Sequence, residues 1–413
     1  MKNHVVNLLR WSEKYTKTDM VYIVKGGFWA MLSQILVSVA TFLLAIAFAH
    51  FISKENYGEY KYILSLAAIL SSFTLTGLGT SVIKSVAEGY EGTLRDVFWK
   101  NIKWSGFFFF LALATSIYYL TQGNTTLGIA MLFVGSLSPI ISSTNLYNSY
   151  LIGKKDFRRS AIYFNIIGNT FPALCVFIGI LLSGNPVWLV GIYFLSNTII
   201  GIALYLLIVR IHNPNKKSDP EALSYSKHLS LMGILNGLAN NIDQVLVFHY
   251  IGAMELAIYN FAIAIPNQIK GPFKSLASLM FPKFSERSDE EIKQGMKSKF
   301  VLLFIAGTAM TIGYFFLAPY IFNIFFPKYV SSIFYSQILG LSFLGILSIP
   351  AEIYLSAKKK IKEQYISNIF ISITQIATTF IFIFYWGLLG IVIARVVIRL
   401  FWSGLNILLY KKA

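Results

Sequence analysis

The residues with most chemistry to offer are charges lying inside apolar runs. Lys270 and Lys274 stand four positions apart, as do Arg395 and Arg399, so each pair shares one face of a helix. Asp243 and Glu352 are the acidic counterparts, and Lys61 is a further cation. Such a group costs about 2.5–3.5 kcal/mol or more at the centre of a bilayer, and it faces a partner or a hydrated cavity. Two acids cannot neutralise this many cations. A hydrated cavity that accepts an anion resolves the excess. Snorkelling, or pairing with Asp243, Glu352 and the carbonyls of helix C-termini, is the other reading.

Asn236, Asn240 and Asp243 are spaced i, i+4, i+7, which makes one polar stripe along a helix. Asp243 is therefore a candidate for binding a coupling cation or proton, or else for holding one of the lysines. Glu352, beside Pro350, reads as a rim salt bridge, and Lys61 as a snorkelling side chain. Pro266 and Pro272 flank Lys270 and are expected to bend its helix. Asp289-Glu290-Glu291 reads as a solvated acidic run.

Catalytic constellations are sparse. His4, His50, His212, His228 and His249 fall at helix ends or in loops without metal-ligand spacing, and no phosphate-binding loop motif occurs. Cys175, the single cysteine, excludes an internal disulfide. The expectation is a protein that is not an enzyme and has neither a metal nor a cofactor.

The elements that position these charges follow from composition. The chain has 413 residues, 56% hydrophobic, 16% aromatic and only 13% charged, with mean hydropathy +0.63. Soluble domains carry about 25% charged residues, so this is an all-α polytopic membrane protein. The net charge of +17 is then a membrane-side bias and not a nucleic-acid surface. The basic N-terminal stretch up to Lys25 does not read as a cleavable signal. Apolar runs long enough to span predict twelve transmembrane helices at 27–51, 58–83, 102–121, 126–150, 160–183, 187–209, 228–251, 257–281, 300–320, 332–356, 364–385 and 388–409. The connections alternate between basic and nearly uncharged, with only Lys54 and Lys328 on the sparse side. Cytoplasmic loops retain Lys and Arg, which predicts both termini in the cytoplasm and very short outer loops.

The chain also repeats itself weakly. His50-Phe51-Ile52 before Tyr57-Gly58-Glu59-Tyr60 matches His249-Tyr250-Ile251 before Leu256-Ala257-Ile258-Tyr259. Tyr150-Leu151-Ile152-Gly153-Lys154-Lys155 matches Tyr354-Leu355-Ser356-Ala357-Lys358-Lys359. Both pair spans one to six with seven to twelve. The expectation is an N-lobe over 1–209, a cytoplasmic linker over 210–227 and a C-lobe over 228–413. The two six-helix lobes would be related by a parallel pseudo-twofold repeat, with substrate between them.

These residues carry a family resemblance. Lys25-Gly26, Tyr57-Gly58-Glu59-Tyr60, Gly77-Leu78-Gly79-Thr80 before Lys84, Ile251-Gly252 through Asn260, Phe281-Pro282-Lys283 and the Tyr354–Lys360 stretch resemble the O-antigen and capsule (Wzx-type) polysaccharide flippases. That family shares a superfamily with multidrug extruders. The sequence departs at Ala257, where the family more often has glycine. Twelve spans, not fourteen, set it apart from the peptidoglycan-precursor flippases.

The resemblance implies a V-shaped carrier with a central cavity in the bacterial inner membrane. By alternating access it would move an undecaprenyl-pyrophosphate-linked oligosaccharide to the outer leaflet for O-antigen or capsule synthesis. It implies membrane lipids, a polysaccharide polymerase and chain-length machinery as partners, with no nucleic acid. Lys25 would meet the headgroup first, and Lys270, Lys274, Arg395 and Arg399 would suit the pyrophosphate or acidic sugars of such a cargo. A cation-coupled drug extruder is the nearest alternative, though it should prefer an acidic cavity. A membrane glycan polymerase or acyltransferase is the other, opposed by the small outer loops.

Overall fold

The computed structural model describes 20–286, 288–358 and 360–412, and side chains there except those of 20–27, 30, 225, 227–229, 231, 232, 272–283, 285, 286 and 361. The described residues form an all-helical chain with short connections. Eight of its helices are long and apolar enough to cross a membrane. The last, Lys362–Lys412, holds 51 residues and would extend ~75 Å at 1.5 Å per residue, over twice a bilayer core. It is broken at Gly387, whose φ of 54° and ψ of −131° are not helical. That break falls between the last two spans expected from sequence.

Three of the expected spans, at 58–83, 228–251 and 257–281, are not among those eight. The first is not one helix: Lys54–Ser72 stops, 73–77 turns, and Leu78–Ala87 begins anew. The stop falls where Thr74, Thr76 and Gly77 replace helix formers. The other two are the helices Ala222–Tyr250 and Ala253–Glu286, which carry the Asn/Asp stripe and Lys270 with Lys274. Polar residues that a buried surface can use lower the average hydropathy of the helix bearing them.

Two further irregularities interrupt apolar runs. Ser160–Ile167 is a π-helical stretch ahead of Pro172. Leu341–Ser348 is a 3-10 stretch between the helices Ser332–Gly340 and Ile349–Ala357. Non-α turns of this kind re-aim side chains inside a span and often sit at functional positions.

The short turns are closed by side-chain caps. Ser53 accepts from the Asn56 amide at 3.2 Å, Asn124 from Leu127 at 3.0 Å and Asn185 from Val187 at 2.8 Å, each satisfying an otherwise orphaned N–H. Ser288 caps Asp289–Phe325 through the Glu291 amide. The acidic run expected to be merely solvated is the first turn of this helix, where negative charge suits the helix dipole.

Contacts divide the chain into two compact units: Leu36–Asn260, and Phe261–Ala413 with the N-terminal stretch to Ile35. These packing units differ from the sequence halves, which describe a repeat. The Ala222–Tyr250 helix, placed by sequence in the second half, packs in the first unit against Lys54–Ser72 and Leu78–Ala87. Gly233 and Gly237, one turn apart, permit that approach. A Cβ on Gly237 would lie 2.2 Å from Ser72 Cβ, and one on Gly233 2.5 Å from Thr76 Oγ1. Small residues at i, i+4 let membrane helices pack backbone to backbone.

The 213–221 connection, part of the linker expected over 210–227, is docked in this same unit. Gly92 N–H donates to Lys217 O at 2.8 Å, Asn215 Nδ2 to Gly89 O at 3.0 Å, and Ser85 Oγ to Asp219 Oδ2 at 2.6 Å. In the other unit, Asp289–Phe325 and Ile361–Lys412 both pack on the Leu341–Ser348 turn. A smaller core there gathers Phe284, Met296, Tyr354 and Tyr410.

Candidate functional site

The 3-10 turn is what builds the site. It places Ser342 against two cations from different helices, Lys270 of Ala253–Glu286 and Arg399 of Ile361–Lys412. Lys270 Nζ donates to Ser342 Oγ, and Arg399 Nη1 donates to the same oxygen at 3.0 Å. That hydroxyl spends its own proton on Leu339 O. The second arm of Arg399, Nη2, donates to Asn267 Oδ1 at 3.0 Å. Asn267 sits three residues before Lys270, on the same helix face. The Phe343 ring centroid lies 5.5 Å from the Lys270 ammonium, a cation–π distance.

An ammonium and a guanidinium thus meet on one neutral oxygen. A ligand with several anionic oxygens would accept from both in the charge-assisted bonds that bind phosphate. Of the residues picked out by sequence, Lys270 and Arg399 are brought together, and Arg395 lies half-buried one turn before Arg399. The side chains of Lys25 and Lys274 lie outside the described residues. Sequence reasoning passed over Ser342 and Asn267. Asn267 was within reach as the polar residue at i−3 from Lys270, whereas a lone serine in an apolar run carries no signal.

Both acids accept hydrogen bonds from neutral donors. Asp243, 3% exposed, accepts from the Tyr259 hydroxyl through Oδ2 and from the Gln244 amide through Oδ1 at 2.9 Å. Asn236 and Asp243 of its stripe are at least partly buried, while Asn240 is exposed. Glu352, expected in a rim salt bridge, makes no ion pair among the described residues. Its Oε1 accepts from Ser348 Oγ at 2.6 Å and from Asn406 Nδ2 at 3.3 Å. The same helical stretch brings Ser348 to it at i−4, so a neutral donor satisfies the carboxylate locally. Lys61 Nζ lies 5.5 Å from the Tyr57 ring centroid.

A further cluster joins three helices in the Leu36–Asn260 unit. Tyr62 hydrogen-bonds Tyr119 and, at 2.8 Å, His249 Nε2, and its ring stacks on Phe248 at 3.9 Å between centroids. By sequence His249 is one of five histidines at helix ends or in loops without metal-ligand spacing. Its partners come from elements distant in sequence, so spacing did not reveal them.

Length, hydropathy and these intramembrane polar clusters define a multi-pass, all-helical membrane protein. A family model described as polysaccharide biosynthesis protein matches residues 23–288, and the chain belongs to that family. Among solved structures it is similar to MATE in the straight conformation, with TM-score 0.66 and 15% identity over 95% of both chains. MATE in the bent conformation gives TM-score 0.65 and 15% identity, over 94% of this chain and 95% of that one. A MOP superfamily transporter from Pyrococcus furiosus, described as having a binding pocket of reverse polarity, gives TM-score 0.65 and 16% identity over 94% of this chain and 95% of its own. At these identities the likeness establishes the fold. No match is found among curated protein sequences.

Proposed function

We propose that the protein is a flippase. It moves an undecaprenyl-pyrophosphate-linked oligosaccharide from the cytoplasmic to the outer leaflet of the bacterial inner membrane, by alternating access of two six-helix lobes. The observation that carries this reading is the convergence of Lys270 and Arg399 on Ser342. A pyrophosphate can replace that shared hydroxyl with anionic oxygens, gaining charge-assisted bonds in a low-dielectric setting. Lys274 and Arg395, one turn from each, extend the cationic face by sequence spacing. Membership of a polysaccharide biosynthesis family supports a glycan cargo.

Lys25 is proposed as the first contact of the headgroup, and Asp243 as a candidate coupling-ion ligand. The distribution of Lys and Arg supports an orientation with both termini in the cytoplasm. A polymerase and chain-length machinery are the proposed partners that take up the product. Nothing in this reading requires catalysis by the chain.

The MATE likeness favours a second reading, a drug extruder. The reverse polarity named for the Pyrococcus furiosus transporter's pocket belongs to that protein, but it offers a precedent within this fold for a cargo other than cationic drugs. The test is a strain lacking the gene, in which lipid-linked oligosaccharide, surface glycan and drug sensitivity are measured together. Completed units accumulating on the lipid carrier, with surface polymer lost, are the expected result. Unchanged glycan with raised drug sensitivity would replace the flippase with the extruder.

A further inference from the structure

A different cavity lies wholly within the Leu36–Asn260 unit, and none of the charged residues contributes to it. It has a volume of about 350 Å³ and is lined from the helices Lys54–Ser72, Thr125–Thr144 and Pro186–His212 together with Asn145. Its polar wall consists of Ser71, Ser138, Ser142, Asn145, Tyr193 and Asn197, and the remainder is apolar. No lining residue carries a formal charge. Ser138, Ser142 and Asn145 fall at i, i+4, i+7, so they present one face to the cavity.

Most of these groups keep hydrogen-bonding capacity in reserve. Asn197 Nδ2 donates to Tyr193 O at 2.7 Å, which leaves its carbonyl oxygen to accept. Ser71 is turned back onto Ala67 O; Ser142 is engaged both ways, donating to Pro139 O and accepting from Asn101 Nδ2 at 3.2 Å. Among the described residues, the side chains of Ser138 and Asn145 make no hydrogen bond. Both lie within the apolar span Thr125–Gly153, where an amide or hydroxyl that finds no partner is costly. Both are partly exposed and line the cavity, so an occupant with donors and acceptors of its own would bond them.

The occupant these walls suit is uncharged, rich in donors and acceptors, and apolar on one face. We infer that this cavity is a subsite for one neutral sugar ring. Asn145, Asn197 and Ser138 would bond its hydroxyl or acetamido groups, and the apolar wall beside Tyr193 would lie along its C–H face. The inference rests on the lipid-linked oligosaccharide reading. It separates the cargo chemically, with pyrophosphate on the Lys270–Arg399 cluster and a neutral sugar here.

The experiment is binding of a panel of methyl hexosides and methyl N-acetylhexosaminides to the purified full chain in nanodiscs, read by saturation-transfer NMR. At least one sugar is expected to bind saturably to the wild type. Asn145→Leu should weaken it at least tenfold, and Ser138→Ala, which removes a single oxygen and no packing, at least threefold. Absence of saturable binding by every sugar in the panel overturns the subsite and leaves a water-filled cavity. So does binding unchanged in both variants. Flipping of lipid-linked oligosaccharide in liposomes is measured in parallel. Flipping without sugar binding removes the subsite alone. Sugar binding without flipping removes the transport reading and leaves a sugar-binding cavity.

Discussion

Lys270 and Arg399 donate to one and the same oxygen, Ser342 Oγ, although they belong to helices far apart in the chain. Two cations held this close repel each other, and their geometry is maintained by Ser342, Asn267 and the Phe343 ring. An anion arriving between them relieves that repulsion. Transport of an anionic cargo should therefore depend on both. Lys270→Ala and Arg399→Ala are each expected to lower flipping in reconstituted liposomes more than tenfold, ~1.4 kcal/mol or more, with Ser342→Ala milder. Lys270→Ala combined with Lys274→Ala should abolish glycan display on cells while membrane insertion persists; normal display would remove the cluster from the mechanism.

The Asp243–Tyr259 hydrogen bond is a buried pair that can be dissected by a double-mutant cycle. Truncating Asp243 to alanine leaves the Tyr259 hydroxyl without this acceptor, at a cost of about 1–3 kcal/mol. Asp243→Ala with Tyr259→Phe should then be less destabilising than the sum of the single changes. Thermal unfolding in detergent reads the cycle. Additive losses would mean that the pair is not coupled.

Gly237 and Ser72 make a steric prediction with a built-in rescue. Gly237→Ala forces a Cβ into a position 2.2 Å from Ser72 Cβ and should destabilise the protein by about 1–3 kcal/mol, the usual range for overpacking. Ser72→Gly removes both obstructing atoms, Cβ at 2.2 Å and Oγ at 2.9 Å, and the nearest that remains, Ser72 Cα, lies 3.6 Å away. The double variant should regain most of the loss in melting temperature. A Gly237→Ala protein as stable as the wild type would show that the helices do not approach this closely.

Acid should weaken one interaction outside the spans. Glu91 accepts from Lys154 Nζ at 2.7 Å and from the Tyr150 hydroxyl at 3.0 Å. The Lys154 ammonium, hydrogen-bonded to it, holds its carboxyl below the ordinary carboxylate value. A depressed folded-state pKa gives stability that is present above the unfolded value of 4.5 and is lost as pH falls through the folded one. Glu91→Gln should therefore lower the melting temperature at pH 7, and the gap should close toward pH 3. The pair is partly exposed, so the effect at pH 7 is at most about 1 kcal/mol. An undiminished gap at low pH would assign the loss to packing.

Much of the site was legible because charge inside an apolar run is conspicuous. Lys270, Arg395, Arg399 and Asp243 all stood out against their background, and i, i+4 spacing placed the cations in pairs. Neutral polar residues gave no such contrast. Ser342, Asn267 and Tyr259 are ordinary at the level of composition, and their importance comes from what they meet. Glu352 shows the converse error. Its charge was visible, but a neutral serine four residues earlier donates to it, and among the described residues it makes no ion pair.

The sequence by itself determined that the chain is helical, membrane-embedded and cationic within its spans. Hydropathy, helical periodicity and loop charge are local properties, each set within one helix or its flanks. The break at 73–77, the 3-10 turn at Leu341–Ser348 and the docking of 213–221 onto the 88–93 turn were decided by tertiary structure. So was the meeting of Lys270 with Arg399. Periodicity states which face of a helix is polar, but not which other face it will find. That depends on packing between helices, where a glycine such as Gly237 sets how near two backbones come and a single hydroxyl fixes where two distant cations converge.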